Sequence, residues 1–317
     1  MGRVYLGDAG ILTPGRWRWL RALAWMVALV VSVIFTYNVV GQSAQWALVW
    51  LSGEQFATRA DIPQIYKLSG AVIGMAAALM VYWAAVRWGE KRRVTELALR
   101  PLPADYLIGG AIGAGQMAAI IGIMAAAGWV IMAPSDVTAI ARALKETLQS
   151  SIIEELLFRA IIFRLLWRAA GVWPALIISA TLFGGGHLLN PDSTLLAALS
   201  IILGIGVEIG LYMITGRIWA SIGAHAAWNF TQGWIFGATV SGFNAIAGGP
   251  LTVRPAAGVP DALSGGAFGP EASIVALLVS MLASAAVLRL AWKGGCFAPS
   301  HEPIASGQVS AKFATAS

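Results

Sequence analysis

The stretch Glu154-Glu155-Leu156-Leu157-Phe158-Arg159 places two carboxylates and a guanidinium inside a membrane-length segment, residues 144–166, that also carries Glu146 and Arg164. Two similar stretches follow along the chain, Phe183-Gly184-Gly185-Gly186-His187 and His225-Ala226-Ala227-Trp228-Asn229. Ionisable side chains are costly in hydrocarbon, so they are rare in membrane-length segments and usually functional. A carboxylate, two imidazoles and an amide are the groups needed to activate a water and stabilise an oxyanion. The pattern therefore indicates hydrolysis within a membrane.

The composition excludes a water-soluble protein. The chain is 58% hydrophobic and 11% charged, whereas soluble domains carry about 25% charged residues. The net charge is +6, but the basic residues flank apolar runs. Such residues set the orientation of membrane spans and contact the lipid bilayer, so we expect no nucleic-acid partner. Cys296, the single cysteine, excludes an internal disulfide and a cysteine metal cluster.

We predict an all-α membrane protein, a polytopic bundle of about eight transmembrane helices. The predicted spans are residues 22–40, 68–86, 107–131, 144–166, 173–189, 195–215, 219–236 and 272–291. Residues 1–297 are expected to form a single polytopic membrane domain, and residues 298–317 a disordered cytoplasmic tail. Basic residues alternate between the loops, so we expect a multi-pass protein of the cell inner membrane with both termini cytoplasmic.

The ends of the spans carry further signals. Seven tryptophans, among them Trp167 and Trp219, are expected to form an aromatic belt at the inner interface. Arg164 and Arg168 are expected to extend to the same surface. The connection 237–271, rich in Gly, Ala and Pro, is expected outside, where it either caps the site or is flexible.

Helix geometry separates the two adjacent glutamates. Glu155 and Arg159 are four residues apart, so they share one helix face and we expect a buried ion pair. Glu154 is rotated by about 100° from that face. It is therefore the freer carboxylate and the one suited to act as a base. The alternative is that both acids belong to a packing network between helices.

The other two stretches supply the remaining groups. Phe183 lies one turn before His187 on the same face, where it can wall the site, although a lone histidine of this kind is more often interfacial. His225 and Asn229, four residues apart, can present two donors to an oxyanion. The alternative for Asn229 is an interhelical hydrogen bond. Glu208, a further acid in a predicted span, is either a partner of an imidazole or a helix-packing residue.

A metal site is the alternative to a metal-free reaction. Glu154, His187 and His225 could in principle hold zinc with an open position. The sequence contains no H-E-x-x-H, and the two histidines lie on different spans, so spacing does not support a metal. We expect no metal and no cofactor, with zinc kept as the alternative.

The order E-E-x-x-x-R, F-x-x-x-H and H-x-x-x-N resembles the CPBP family of membrane proteins. The family is named for type II CAAX prenyl endopeptidases and bacteriocin-processing proteins and is also called the Abi family. The resemblance covers about residues 97–242, and residues 222–230 with Val240-Ser241-Gly242 look like a bacterial branch.

The resemblance implies an intramembrane endopeptidase of the glutamate type, although an older label for the family is metalloprotease. In the family, the first glutamate and the histidine of F-x-x-x-H hold and activate the water, which implies Glu154 and His187 here. The histidine and asparagine of H-x-x-x-N are assigned to the oxyanion, which implies His225 and Asn229. Glu155, Arg159 and Phe183 are expected to support these residues.

The implied substrate is a peptide or a membrane protein; its identity, its prenylation and the oligomeric state stay open. One alternative is a non-catalytic membrane scaffold or a bacteriocin-immunity-type factor. Another is a proton-coupled transporter, which buried Glu and His would also suit. A transporter would more often show paired repeats, and the sequence has none.

The depth of the site is a separate difficulty. Counted from the inner ends of their predicted spans at 1.5 Å per residue, His187 lies about 21 Å deep and His225 about 9 Å deep. We nevertheless expect both histidines to converge with Glu154 and Asn229 on one polar cavity.

Overall fold

The computed structural model describes residues 3–300, and helical stretches occupy the positions of all eight predicted spans. The part of the predicted tail from residue 301 onward lies outside the described residues. The helices are α1 Arg18–Ser52, α2 Gln64–Ala84 with a π-helix Ala85–Gly89, α3 Leu102–Ala126, α4 Ile140–Glu155 with a π-helix Leu156–Phe163, α5 Arg164–Ala170, α6 Val172–Gly186 with a 3₁₀ turn His187–Leu189, α7 Leu195–Gly204, α8 Gly206–Thr215, α9 Trp219–Phe230 with a π-helix Thr231–Ile235, α10 Asp261–Ser264 and α11 Ile274–Lys293.

Six of the helical stretches are long and apolar enough to cross a membrane. The two others at predicted spans, α4–α5 and α9, carry the E-E-x-x-x-R and H-x-x-x-N motifs. Their polar residues include Glu155, Arg159 and Asn229, all buried inside the protein. Because these polar side chains face protein and not lipid, the low apolar content of the two helical stretches does not conflict with a place in the bundle. The prediction of an all-α polytopic membrane protein is confirmed.

A small antiparallel sheet interrupts the helical pattern. Strand β1, Val130–Pro134, pairs with β2, Leu251–Pro255. The predicted C-terminal end of the third span, 107–131, was therefore wrong. The α3 helix ends at Ala126, and Gly128 follows in the left-handed region, with φ 71°, which favours termination of a helix. The sheet attaches the connection 237–271 to the rest of the protein.

Arg164 does not extend to the surface, so that prediction was wrong, whereas Arg168 is partly exposed. Arg164 is fully buried, and its two terminal nitrogens bind the Glu90 carboxylate at 2.9 and 2.7 Å. Arg92 joins Glu90 to Glu96, with N–O distances of 2.7 and 2.6 Å. Arg168 donates to two backbone carbonyls of the N-terminal segment. The counter-charges come from a connection distant in sequence, which no local pattern reveals.

The ion pairs of Arg164, Glu90, Arg92 and Glu96 form a network, and this network contacts the helix that carries the E-E-x-x-x-R motif. Burial would raise the pKa of Glu96, but the adjacent Arg92 guanidinium lowers it to about 2. The Tyr82 hydroxyl lies within hydrogen-bond distance of both Glu96 and the backbone carbonyl of Ala160. Ala160 belongs to the π-helix Leu156–Phe163, so the network anchors this helix directly after Arg159, the last residue of the motif.

Helices α3 and α9 pack at close range because glycines lie at their contact. A Cβ atom at Gly109 would lie 1.9 Å from the Ala220 carbonyl oxygen, and one at Gly113 would lie 2.0 Å from that of Ala224. Small residues allow helix backbones to approach in this way. Since Ala224 directly precedes His225, this contact sets the height of the α9 site residues.

The turn between α8 and α9 is buried inside the protein. Arg217 binds Asp105 at 2.6 Å, and the Trp219 indole donates to the Ala98 carbonyl at 2.8 Å. Trp219 and Trp167 are 7% and 5% exposed, so their assignment to the aromatic belt was wrong. The other members of the predicted belt are exposed, namely Trp17, Trp19, Trp88, Trp173 and Trp292.

Candidate active site

A cavity of about 520 Å³ lies between the α4, α6 and α9 stretches. The structure brings Glu154, His187, His225 and Asn229 together on its wall. We call it the large cavity, and its other lining residues are Glu146, Ser150, Phe158, Leu182, Phe183, Gly186, Asn190, Val240, Ser241, Phe243, Ala245 and Ile246. These four residues lie on one cavity, as expected in spite of the different depths counted for the two histidines. The catalytic role of each residue stays a prediction.

Glu155 is the central charged group behind the cavity wall. Its Oε2 lies 2.8 Å from Arg159 Nε, which is the predicted ion pair, although the N–H is not aligned for a hydrogen bond. Its Oε1 accepts a hydrogen bond from His225 Nδ1 at 2.9 Å. Both Glu155 and Arg159 are buried, with exposures of 0% and 1%. Glu155 therefore holds the helix and also orients an imidazole, and only the first of these roles was predicted.

Glu154 has the environment expected of a free carboxylate. Its side chain is 34% exposed, and its Oε2 lies 3.9 Å from His225 Nε2. No residue within 3–300 donates a hydrogen bond to this carboxylate. It is therefore available to a water or a substrate in the large cavity.

Phe183 separates the two histidines and fixes one of them. Its backbone carbonyl lies 2.8 Å from His187 Nδ1. Because a carbonyl oxygen only accepts, Nδ1 carries the proton, and Nε2 of the neutral ring stays available. The Phe183 ring packs 4.9 Å from His187 and 6.1 Å from His225, and Arg159 lies 5.1 Å from its centre. Phe183 walls the site as the sequence predicted.

Asn229 is held by a residue that sequence reasoning missed. Its Nδ2 donates to the Ser150 hydroxyl at 3.1 Å, which leaves the second amide proton for another acceptor. Asn229 is 8% exposed, so its amide orientation is defined by the protein. Ser150 lies one helix turn before Glu154, but the pairing crosses from α4 to α9 and has no signal in local spacing.

A second, small cavity of about 80 Å³ adjoins the large one. The two share Phe183, His187, His225, Asn229 and Ser241. The polar residues that line only the small cavity are Gln116, Ser200, Glu208, Glu271 and Ser280. His225 Nδ1 binds Glu155 and not Glu208, so this acid is not the hydrogen-bond partner of His225. Ser241 and Glu271 belong to the connection 237–271, which thus caps the site.

The donor geometry gives no support to a metal site. Among residues 3–300, no group of three or more His, Cys, Asp and Glu side chains is placed to share a metal ion. His225 Nδ1 is already bound to Glu155, and His187 Nδ1 to a backbone carbonyl. A metal-free reaction stays a prediction.

Residues 136–231 match the family model described as type II CAAX prenyl endopeptidase Rce1-like. This segment contains all three motifs and spans under a third of the chain. Comparison with curated proteins and with solved structures gives no significant match. The resemblance to the CPBP family is confirmed over a shorter segment than the predicted 97–242.

Proposed function

We propose, from the match of residues 136–231 to the family model of type II CAAX prenyl endopeptidases, that the protein is a membrane protease of the CAAX type and an intramembrane endopeptidase of the glutamate type. The observation that carries this proposal is the shared cavity of Glu154, His187, His225 and Asn229. A free carboxylate, two oriented imidazoles and an oriented amide supply the groups that peptide hydrolysis requires.

Glu154 and His187 are proposed to hold and activate the water. Both line the large cavity, and the free Nε2 of His187 can accept a hydrogen bond from a water. Glu154 takes a proton as the water oxygen attacks the scissile carbonyl. The same carboxyl then gives a proton to the leaving amine, so protons balance over the cycle.

His225 and Asn229 are proposed to bind the oxyanion. The free amide proton of Asn229 can donate directly. His225 must be doubly protonated to donate through Nε2, because Nδ1–H is bound to Glu155. The Glu155 carboxylate would balance that positive charge, in the way that a buried carboxylate orients and supports a catalytic histidine. Glu155 is therefore a positioning residue.

The proposed substrate is a peptide segment of a membrane protein or a peptide bound at the bilayer. The volume of about 520 Å³ falls within the range of about 300–1,000 Å³ that is typical of ligand sites. We propose no metal in the reaction, since Glu154 and His187 can activate water by acid–base chemistry alone.

The test uses the purified full chain in lipid vesicles with a library of prenylated and unprenylated peptides. Asn229→Ala should lower kcat by about a hundredfold or more, as removal of one oxyanion donor does. His187→Ala should abolish cleavage, and wild-type activity should persist with a chelator. Asn244→Ala is the matched control, because its amide binds Thr239 in the capping connection and lines neither cavity.

Cleavage by His187→Ala at the wild-type rate would contradict the proposed mechanism. Folded wild-type protein that cleaves no peptide in the library, while a cellular phenotype survives both substitutions, would favour the scaffold alternative. Loss of activity with the chelator would replace the metal-free reaction by a metal-dependent one.

A further inference from the structure

The capping connection reaches the site through a tight turn, residues 240–243. The backbone N–H groups of Val240 and Phe243 each donate to the carbonyl of the other, at 2.9 and 2.8 Å. The two residues between them, Ser241 and Gly242, have φ angles of 48° and 85°. Such a turn with two left-handed residues favours Gly, Asn or Asp at both positions. A serine in this region is uncommon, and strained residues of this kind concentrate at functional sites.

The turn is held from two sides. Glu271, which is 4% exposed, accepts hydrogen bonds from the Ser241 backbone N–H and from the Trp228 indole at 3.3 Å. The Asn190 amide donates to the Ser241 carbonyl at 3.0 Å. A Cβ atom at Gly242 would lie 2.2 Å from the Pro191 carbonyl oxygen.

These contacts place the turn between the two halves of the site. Asn190 directly follows the 3₁₀ turn that contains His187. Trp228 lies on α9 between His225 and Asn229. The turn therefore braces the element of His187 against the element of the oxyanion pair, with Glu271 as its buried anchor.

Ser241 lies at the boundary of the two cavities and lines both, as His225 and Asn229 do. Its hydroxyl has no hydrogen-bond partner within residues 3–300. Glycine would hold the same backbone conformation with less strain. The hydroxyl of Ser241 is therefore available to donate to a molecule bound in the two cavities.

We propose that Ser241 donates a third hydrogen bond to the substrate carbonyl and that Glu271 is the residue that positions it. This inference rests on the proposed peptide hydrolysis. Its chemistry resembles that of Asn229: a donor, here on a backbone held by the protein, for the oxygen on which negative charge develops.

Two substitutions separate the hydroxyl from the backbone. Ser241→Ala and Ser241→Gly should both lower kcat by about a hundredfold with KM little changed, because the lost bond is strongest in the transition state. Ser241→Gly should also raise the Tm, since it relieves the left-handed conformation. Ser264→Ala is the control, because this buried serine of the same connection lines neither cavity and should retain full kcat.

A double-mutant cycle tests the role of Glu271. Glu271→Ala should lower kcat strongly in the wild-type background and only slightly in the Ser241→Ala background, because residues that act through one another are not additive. Glu271→Gln keeps an acceptor oxygen and should retain more activity than Glu271→Ala. Additive losses would show that Glu271 has only a structural role.

The outcomes distinguish this inference from the proposed function. If both Ser241 variants cleave with the kcat of the wild type, Ser241 is not a donor to the substrate, but the proposed protease activity stands. If the wild type cleaves no peptide, the proposed function and the role of Ser241 are both wrong. Hydrogen exchange gives a readout independent of activity: the Ser241 amide should exchange faster in Glu271→Ala, which removes the acceptor, and unchanged exchange in that variant would refute the anchor.

Discussion

Replacement of Glu155 by Gln should destabilise the protein and inactivate it for two separable reasons. Glu155 is the shared partner of Arg159 and His225, through its two carboxylate oxygens. The substitution removes the negative charge that balances the Arg159 guanidinium. It also replaces the carboxylate that orients the His225 ring.

The size of the stability effect follows from burial. Removing one partner of a buried ion pair costs about 3–5 kcal/mol, because the other charge is stranded. Arg159, at 1% exposure, cannot recover this by contact with water. Its contact with the Phe183 ring, at 5.1 Å, is present in both proteins and does not offset this cost. We therefore expect a loss of about 3–5 kcal/mol in the free energy of unfolding.

The assay combines a denaturant titration in detergent with peptide cleavage in vesicles. Arg159→Met in the Glu155→Gln background removes the stranded charge, so most of the lost stability should return. Activity should not return, because His225 still lacks the carboxylate that orients its ring and supports its charge. Recovery of stability without activity is the signature of the two roles. A single variant with unchanged stability, or a double variant no more stable than the single one, would refute the reasoning.

Two further predictions concern the network at Glu96 and the α3–α9 contact. The pKa of Glu96 is lowered from 4.5 to about 2, so its contribution to stability is complete above about pH 4.5 and is lost as the pH falls towards 2. The Tm of the wild type should fall between pH 6 and pH 2, and the Tm of Glu96→Gln should depend less on pH. An equal slope of Tm against pH in the two proteins would contradict this prediction. Gly113→Val should lower both Tm and kcat, because its Cβ would lie 2.0 Å from the Ala224 backbone, while Gly115→Val, which meets nothing within 4 Å, should change neither. Equal effects of the two valines would contradict the close-contact argument.

Contacts within one helix could be predicted from the sequence. The pairing of Glu155 with Arg159 follows from a spacing of four residues, and so does the placement of Phe183 beside His187. The positions of the eight predicted spans also follow from apolar periodicity, apart from their ends. These features depend only on neighbours in sequence, which the pattern contains.

Contacts between distant segments could not be predicted in the same way. The hydrogen bond between His225 and Glu155 joins residues 70 apart, and the ion pair of Arg164 joins it to a glutamate 74 positions earlier. The burial of the turn before α9 has the same origin, because Arg217 pairs with Asp105, which lies 112 positions earlier. Local spacing carries no information about which distant charge will be opposite.

The measurement that tests the central claim most directly compares two glutamates of the same cavity. Glu154 and Glu146 both line it, with side chains 34% and 30% exposed, but Glu146 is paired with Lys145 at 2.8 Å. Single-turnover cleavage in vesicles is measured for Glu154→Gln and Glu146→Gln, with a thermal scan to show that both are folded. The account predicts that Glu154→Gln abolishes cleavage and that Glu146→Gln cleaves at close to the wild-type rate. Wild-type cleavage by folded Glu154→Gln would contradict the account.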